Sequence, residues 1–87
     1  MENNKQKNLI GDKVRQARHR NKPKITQTDL IARLAVRGIE LDKTTISKIE
    51  AKTRPVTDIE LVAIANSLGV SVLWLLGLEQ QSREYRH

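Results

Sequence analysis

Two short segments carry most of the chemistry this chain is equipped to do. Thr26-Gln27-Thr28-Asp29-Leu30 and Thr45-Ile46-Ser47-Lys48-Ile49-Glu50 each read as the opening turns of a helix. In the second, Ile46 and Ile49 fall on one side, leaving Lys43, Thr44, Ser47 and Lys48 on the other. Side chains of those types donate to guanine O6 and N7 or touch a thymine methyl, which is what reading a DNA major groove requires. The first segment offers free N–H groups and the positive end of a helix dipole, which suit a phosphate. Taken on residues alone, the outward row of Lys, Thr and Ser fits a plain solvated surface equally well.

Other chemistry is harder to assemble. The two histidines, His19 in a basic helix and His87 at the C-terminus, lack metal-ligand spacing. Asp58 and Glu60 fall where a helix is capped and do not read as an acid/base pair. The four glycines sit at helix boundaries or, for Gly11, in a first turn, so no glycine-rich loop cradles a phosphate. With no cysteine there is neither a disulfide nor a thiolate metal site. The expectation is a binding protein that is not an enzyme, with no catalytic residues, no metal and no cofactor.

Charge points the same way. The net charge is +6 over 87 residues, but it is unevenly spread. Residues 1–54 hold 14 Lys and Arg against 6 acids, +8, and residues 55–87 hold 2 Arg against 4 acids, −2. Such segregation favours a polyanionic partner. The composition, 38% hydrophobic and 30% charged, is that of an ordinary folded domain. The longest apolar stretch, 69–78, is half of what a membrane span needs, and the polar N-terminus lacks the apolar centre of a secretion signal. A cytoplasmic protein with no membrane association is expected.

The elements that must hold the two segments are short helices. Ile10, Val14 and Ala17 recur at helical spacing and predict a first helix from Leu9 to about His19, broken by Asn21-Lys22-Pro23-Lys24. Thr26 with Asp29 reads as an acidic capping box for a second helix carrying Leu30, Ile31 and Leu34. Gly38 is placed to end it, with Ile39 folding back on Leu34. Asp42 is the candidate cap of a third helix over 43–51, and Thr57 with Glu60 boxes a fourth over about 58–68, burying Leu61, Ile64, Ala65 and Leu68. Ser71 caps a short fifth helix, Val72 to Leu76, between Gly69 and Gly77. The expected organisation is a flexible polar arm over 1–8, one compact all-α domain of five helices over 9–78, and a flexible charged tail over 79–87. With Phe absent, the core falls to Leu, Ile, Val and Ala, and Trp74 reads first as a packing residue.

Four segments in order resemble the Cro and phage-repressor type of helix-turn-helix domain, the XRE family. They are Val14-Arg15-Gln16-Ala17-Arg18, the two segments above, and Leu68-Gly69-Val70-Ser71-Val72-Leu73-Trp74-Leu75-Leu76, together spanning roughly 9–77. The resemblance implies a lambda-repressor-like fold and a regulator, repressing more often than activating, on double-stranded DNA with a palindromic operator. It implies base contacts from Lys43, Thr44 and Lys48, with Ser47 and Thr45 as lesser ones. It gives Gln27, with Thr28 beside it, a role on the DNA backbone, and pairs Arg18 with Glu50 as a structural salt bridge between helices one and three. It places Leu73, Trp74, Leu76 and Leu78 near a homodimer interface.

The chain departs from the family pattern between Leu34 and Ile46, where eleven residues lie, about five more than usual. The extra length is expected as a longer second helix ending at Arg37 and a longer connection, Gly38 to Asp42, anchored by Ile39 and Leu41. Arg37 then becomes a candidate backbone contact, as do Arg20, Lys22 and Lys24 in the loop before helix two. The competing reading is an antitoxin-type module that binds DNA and masks a protein partner through its arm or tail. A membrane-surface helix protein fits poorly, because caps and glycine stops specify short compact helices.

Overall fold

Thr26 and Thr57 each open a helix in the same way. The hydroxyl of Thr26 accepts from the N–H of Asp29 at 3.0 Å, and the Asp29 carboxylate accepts back from the Thr26 N–H at 3.0 Å. Thr57 and Glu60 repeat the exchange at 3.1 and 3.0 Å. Each box satisfies donors that the first turn of a helix leaves orphaned. Ile25 and Leu30, the apolar pair that flanks the first box, both lie in the core.

The computed structural model describes residues 6–79, and these form five helices with no strand among them. They are α1 (Gly11–Arg20), α2 (Gln27–Val36), α3 (Lys43–Glu50), α4 (Asp58–Leu68) and α5 (Val72–Leu75). The expected all-α, five-helix class is therefore the fold observed. Asp42 caps α3 by accepting from the Thr45 N–H at 2.8 Å, and Ser71 caps α5 by accepting from the Trp74 N–H at 2.9 Å. At the end of α2, Gly38 takes φ +85°, and the Ile39 N–H reaches back to the Leu34 carbonyl at 2.9 Å. That is a Schellman close, which turns the chain sharply enough for Ile39 and Leu41 to pack against the core. The long connection is thereby anchored at both ends.

α2 packs on α4 and α3, while α1 packs on α3, α4 and α5. The centre is aliphatic, with Leu30, Leu34, Ile64 and Leu75 fully shielded from water. Arg33 of α2 donates to the Ser67 carbonyl of α4 at 3.0 Å, a polar tie across the largest helix–helix seam.

α2, α3 and α5 each end one residue short of expectation, and the start of α1 and the two margins of the domain also differ. α1 starts at Gly11, because Asn8 tethers the chain before it and leaves Leu9 exposed. Lys7 and Asn8, the last residues of the expected arm, are hydrogen-bonded to the rest of the domain. The Lys7 N–H donates to the Lys52 carbonyl at 2.8 Å, and Asn8 makes four hydrogen bonds. Glu79 likewise accepts from the Ser71 hydroxyl, so the first residue assigned to the tail is tied to the α5 cap. The remaining parts of the expected arm, 1–5, and tail, 80–87, lie outside the described residues.

Candidate nucleic-acid interface

α3 has eight residues, and their burial divides them cleanly. Ile46, Ile49 and Glu50 are buried, while Lys43, Thr44, Ser47 and Lys48 are exposed. The exposed four fall in two i, i+4 pairs, 43 with 47 and 44 with 48, which places them side by side on one face. Thr45 is half-buried and its N–H is held by the Asp42 cap, so it stands at the edge of that face. The Asp42 carboxyl sits below its ordinary value, chiefly because it accepts from the Thr45 backbone N–H. It is ionised at neutral pH.

The other end of α3 is fixed by a buried ion pair. Arg18 of α1 grips Glu50 with two parallel bonds, Nε to Oε2 at 2.7 Å and Nη2 to Oε1 at 3.0 Å, and these side chains are only 8% and 4% exposed. Its remaining nitrogen, Nη1, donates to the Ile25 carbonyl at 3.1 Å. One planar guanidinium thus ties α1, the start of α2 and the last turn of α3, a geometry that Lys cannot reproduce. Arg15 lies 3.7 Å from the same carboxylate but is largely exposed and adds little.

Gln27, the first residue of α2, reaches α3. Its amide donates to Ser47 Oγ at 3.3 Å and to Glu50 Oε1 at 3.4 Å. Beside it lies a cleft of about 290 Å³, where α1, the connection and the starts of α2 and α3 meet. It is lined by Arg18 and His19 of α1, Lys24, Thr26, Gln27 and Thr28 around the start of α2, and Lys43 of α3. A helix N-terminus, two hydroxyls, an amide and two ammonium groups converging on one cleft suit an anionic group such as a phosphate.

The structure does not gather every expected contact there. Arg20 stands 5.3 Å from the Trp74 ring centroid, turned toward α5, because two residues along a helix rotate it away from the face of Arg18. Arg37 caps the far end of α2, some ten residues or about 15 Å of helix from Gln27, and donates to the Arg33 carbonyl. Lys22 is exposed beside the cleft-lining Lys24 but does not itself line the cleft.

Trp74 requires a correction as an interface residue. It is 2% exposed and belongs to the core, where Lys13 lies over its ring at 4.6 Å. Leu76 is half-buried against the same core, which leaves Leu73, 52% exposed, and Leu78, 72% exposed, as apolar surface near α5.

Several residues position the site through contacts that sequence spacing does not reveal. Asn8 Oδ1 accepts from the N–H groups of Ile10 and Gly11, both at 2.9 Å, and its Nδ2 donates to the Ile49 and Arg54 carbonyls. A Cβ on Gly11 would stand 2.5 Å from the Ile49 carbonyl oxygen and 2.7 Å from that of Glu50. Glycine is what lets α1 abut the end of α3. Glu60, already in a capping box, also takes a two-pronged bond from Arg54 at 3.0 Å, which with the cap holds its carboxyl below the ordinary value. An Asn two residues before an apolar helical pattern, and a glycine in a first turn where it costs stability, were the available signals.

Residues 17–75 match the family model described as helix-turn-helix, and the chain belongs to that family, the Cro and phage-repressor type or XRE family. Members are DNA-binding transcription regulators, and this protein is one. No curated protein and no solved structure matches the chain. No helix among the described residues is long and apolar enough to cross a membrane.

Proposed function

We propose that the protein reads a specific double-stranded DNA sequence with α3 in the major groove and represses transcription by occupying a promoter. The observation that carries this reading is the outward face of Lys43, Thr44, Ser47 and Lys48, on a helix whose opposite side is fixed by the Arg18–Glu50 pair. Lys43, Thr44 and Lys48 make the base contacts, with Ser47 shared between a base and Gln27, and Thr45 in a lesser role at the edge. Gln27, Thr28 and Lys24 hold a phosphate at the cleft, and Lys22 a neighbouring one. Arg20 and Arg37 stand outside this set. Two copies meeting through Leu73, Leu78 and the exposed part of Leu76 read two half-sites of a palindrome about one helical turn apart.

Selection from a random duplex pool, with recovered sequences retested across a salt series, tests the reading. A two-fold symmetric consensus is expected. Thr44→Ala and Lys48→Ala then relax specificity at single positions by about 1–3 kcal/mol each. Lys24→Ala weakens all duplexes alike and lowers the salt slope by about one. Salt-sensitive binding with no consensus overturns sequence-specific reading.

One observation favours the antitoxin-type reading as a second. An apolar groove of about 210 Å³, walled by Leu9, Ile10, Val56, Leu61 and Leu76, lies open to solvent. A protein partner encoded beside this chain, and one whose binding Leu9→Asp abolishes, is what that reading requires.

A further inference from the structure

We propose that His19 makes duplex binding proton-linked: protonated, its imidazole adds a cation to the phosphate cleft, so affinity rises as pH falls. The inference rests on the reading of α2 and α3 as the DNA-facing pair and assigns a role to a residue outside it. His19 is exposed on the penultimate position of α1 and forms part of the cleft wall.

Its charged surroundings decide the sign. From the connection comes Lys24 and from α3 comes Lys43, both lining the cleft. From α1 comes Arg18, already committed to Glu50 and the Ile25 carbonyl. α2 contributes the neutral Thr26 hydroxyl, Gln27 amide and Thr28 hydroxyl. The nearby carboxylates are engaged elsewhere, Glu50 by Arg18 and Asp29 by the Thr26 N–H. No carboxylate lines the cleft. Lysine and arginine stay charged, and a phosphodiester stays anionic, throughout the neutral range. Imidazole is the side-chain class whose charge changes between about pH 5 and 8.

A phosphate in this cleft therefore meets one wall group whose charge is adjustable. An anion beside an imidazole favours the protonated form. By linkage, whatever favours protonation when bound is itself bound more tightly as protons are supplied. Binding takes up a proton, and the dissociation constant rises with pH. Because the phosphate is common to all sequences, the effect acts on specific and non-specific duplexes alike.

The test uses the full chain and a rhodamine-labelled random-sequence duplex, followed by anisotropy at fixed ionic strength. Between about pH 6 and about pH 8, the dissociation constant of the wild type is expected to rise roughly 3–10-fold. His19→Gln should bind at the weaker level with no slope, and His19→Arg at the tighter level with no slope. His87→Gln should keep the wild-type slope. Unchanged melting of both position-19 variants, followed by the fluorescence of Trp74, separates binding from folding. A slope that survives in His19→Gln, or a wild type that binds with no slope, overturns the inference and leaves the DNA reading intact. A wild type that binds no duplex at any pH overturns both.

Discussion

The two ends of α3 are held by different kinds of contact. Its first turn is secured locally, by the Asp42 cap and by a connection that Gly38, Ile39 and Leu41 fasten to the core. Its last turn is secured from far away in sequence. Arg18 grips Glu50 across 32 residues, Asn8 reaches Ile49 across 41, and Gly11 lets α1 press against both carbonyls. The far end is the fulcrum, held by contacts distant in sequence, and the near end is held by its own cap and the connection before it. Extra residues in that connection leave the Arg18–Glu50 clasp at the last turn of α3 in place.

The largest effect is expected at the fulcrum. Glu50→Ala leaves the Arg18 guanidinium buried without its carboxylate, a fault that costs about 3–5 kcal/mol. For a domain of this size that is a large part of the total stability. Chemical denaturation followed by Trp74 fluorescence should show the loss. Replacing the pair together, Arg18→Met with Glu50→Leu, should be more stable than either single change, because an apolar pair has no stranded charge. Losses that simply add would mean the two groups do not act as a unit.

Next comes the contact between α1 and α3. Gly11→Ala places a methyl inside the van der Waals radius of two backbone oxygens, neither of which yields without moving α3. Overpacking of this kind costs about 1–3 kcal/mol. Gly38→Ala is the control: its site is open, and only the left-handed φ is strained, for about 1 kcal/mol. Melting temperatures rank the two. DNA affinity separates them further, since Gly11→Ala displaces the clasped end of α3 and Gly38→Ala does not. Equal affinities would show that the clasp does not set the reading angle.

Asn8 sharpens the same point with a smaller effect. Asn8→Ala removes a capping acceptor and two donors to distant carbonyls, worth about 1–2 kcal/mol. Asn8→Asp keeps the acceptor for Ile10 and Gly11 but loses the donors to Ile49 and Arg54. If the distant bonds matter, the aspartate variant recovers only part of the melting temperature. Full recovery would make Asn8 a helix cap and nothing more.

What was legible in the sequence follows the same division. Caps and stops act over three or four residues, so Thr26, Asp42, Thr57, Ser71, Gly38 and Gly69 could be read from spacing, and with them the five helices. The outward face of α3 was legible because two isoleucines fix its phase. Arg18 with Glu50 entered only through the family resemblance, since no local rule pairs residues 32 positions apart. Asn8 and Gly11 carried local signals but no indication of their partners. Trp74 had two readings, and burial decides for packing because nothing larger is available to fill a core without Phe. Arg20 and Arg37 follow in the sequence from the long loop and the longer second helix, but spacing does not show what their side chains touch: Arg20 lies by the Trp74 ring and Arg37 donates to the Arg33 carbonyl.

The smallest effect belongs to the local end, and pH isolates it. The Asp42 carboxyl is held below its ordinary value first by the Thr45 backbone N–H, and Asp29 is held down in the same way by that of Thr26. A group whose folded value is depressed contributes stability above its unfolded value, near pH 4, and loses it as pH falls through the folded one. In that window the unfolded chain binds more protons, so stability rises with pH. Asp42→Ala should therefore lower the melting temperature by a few degrees at neutral pH. The gap to the wild type should begin to narrow as pH falls below about 4 and close only once pH has passed the lower, folded value of the Asp42 carboxyl, where the wild-type cap is itself protonated. Asp42→Asn keeps an acceptor for the Thr45 N–H and should melt close to the wild type at neutral pH, with a shallower acid limb. A gap between wild type and Asp42→Ala that persists at low pH would show that Asp42 acts on the connection and not as an ionised cap. The near end of α3 would then be held, like the far end, by contacts beyond its own turn, and the contrast between them would fail.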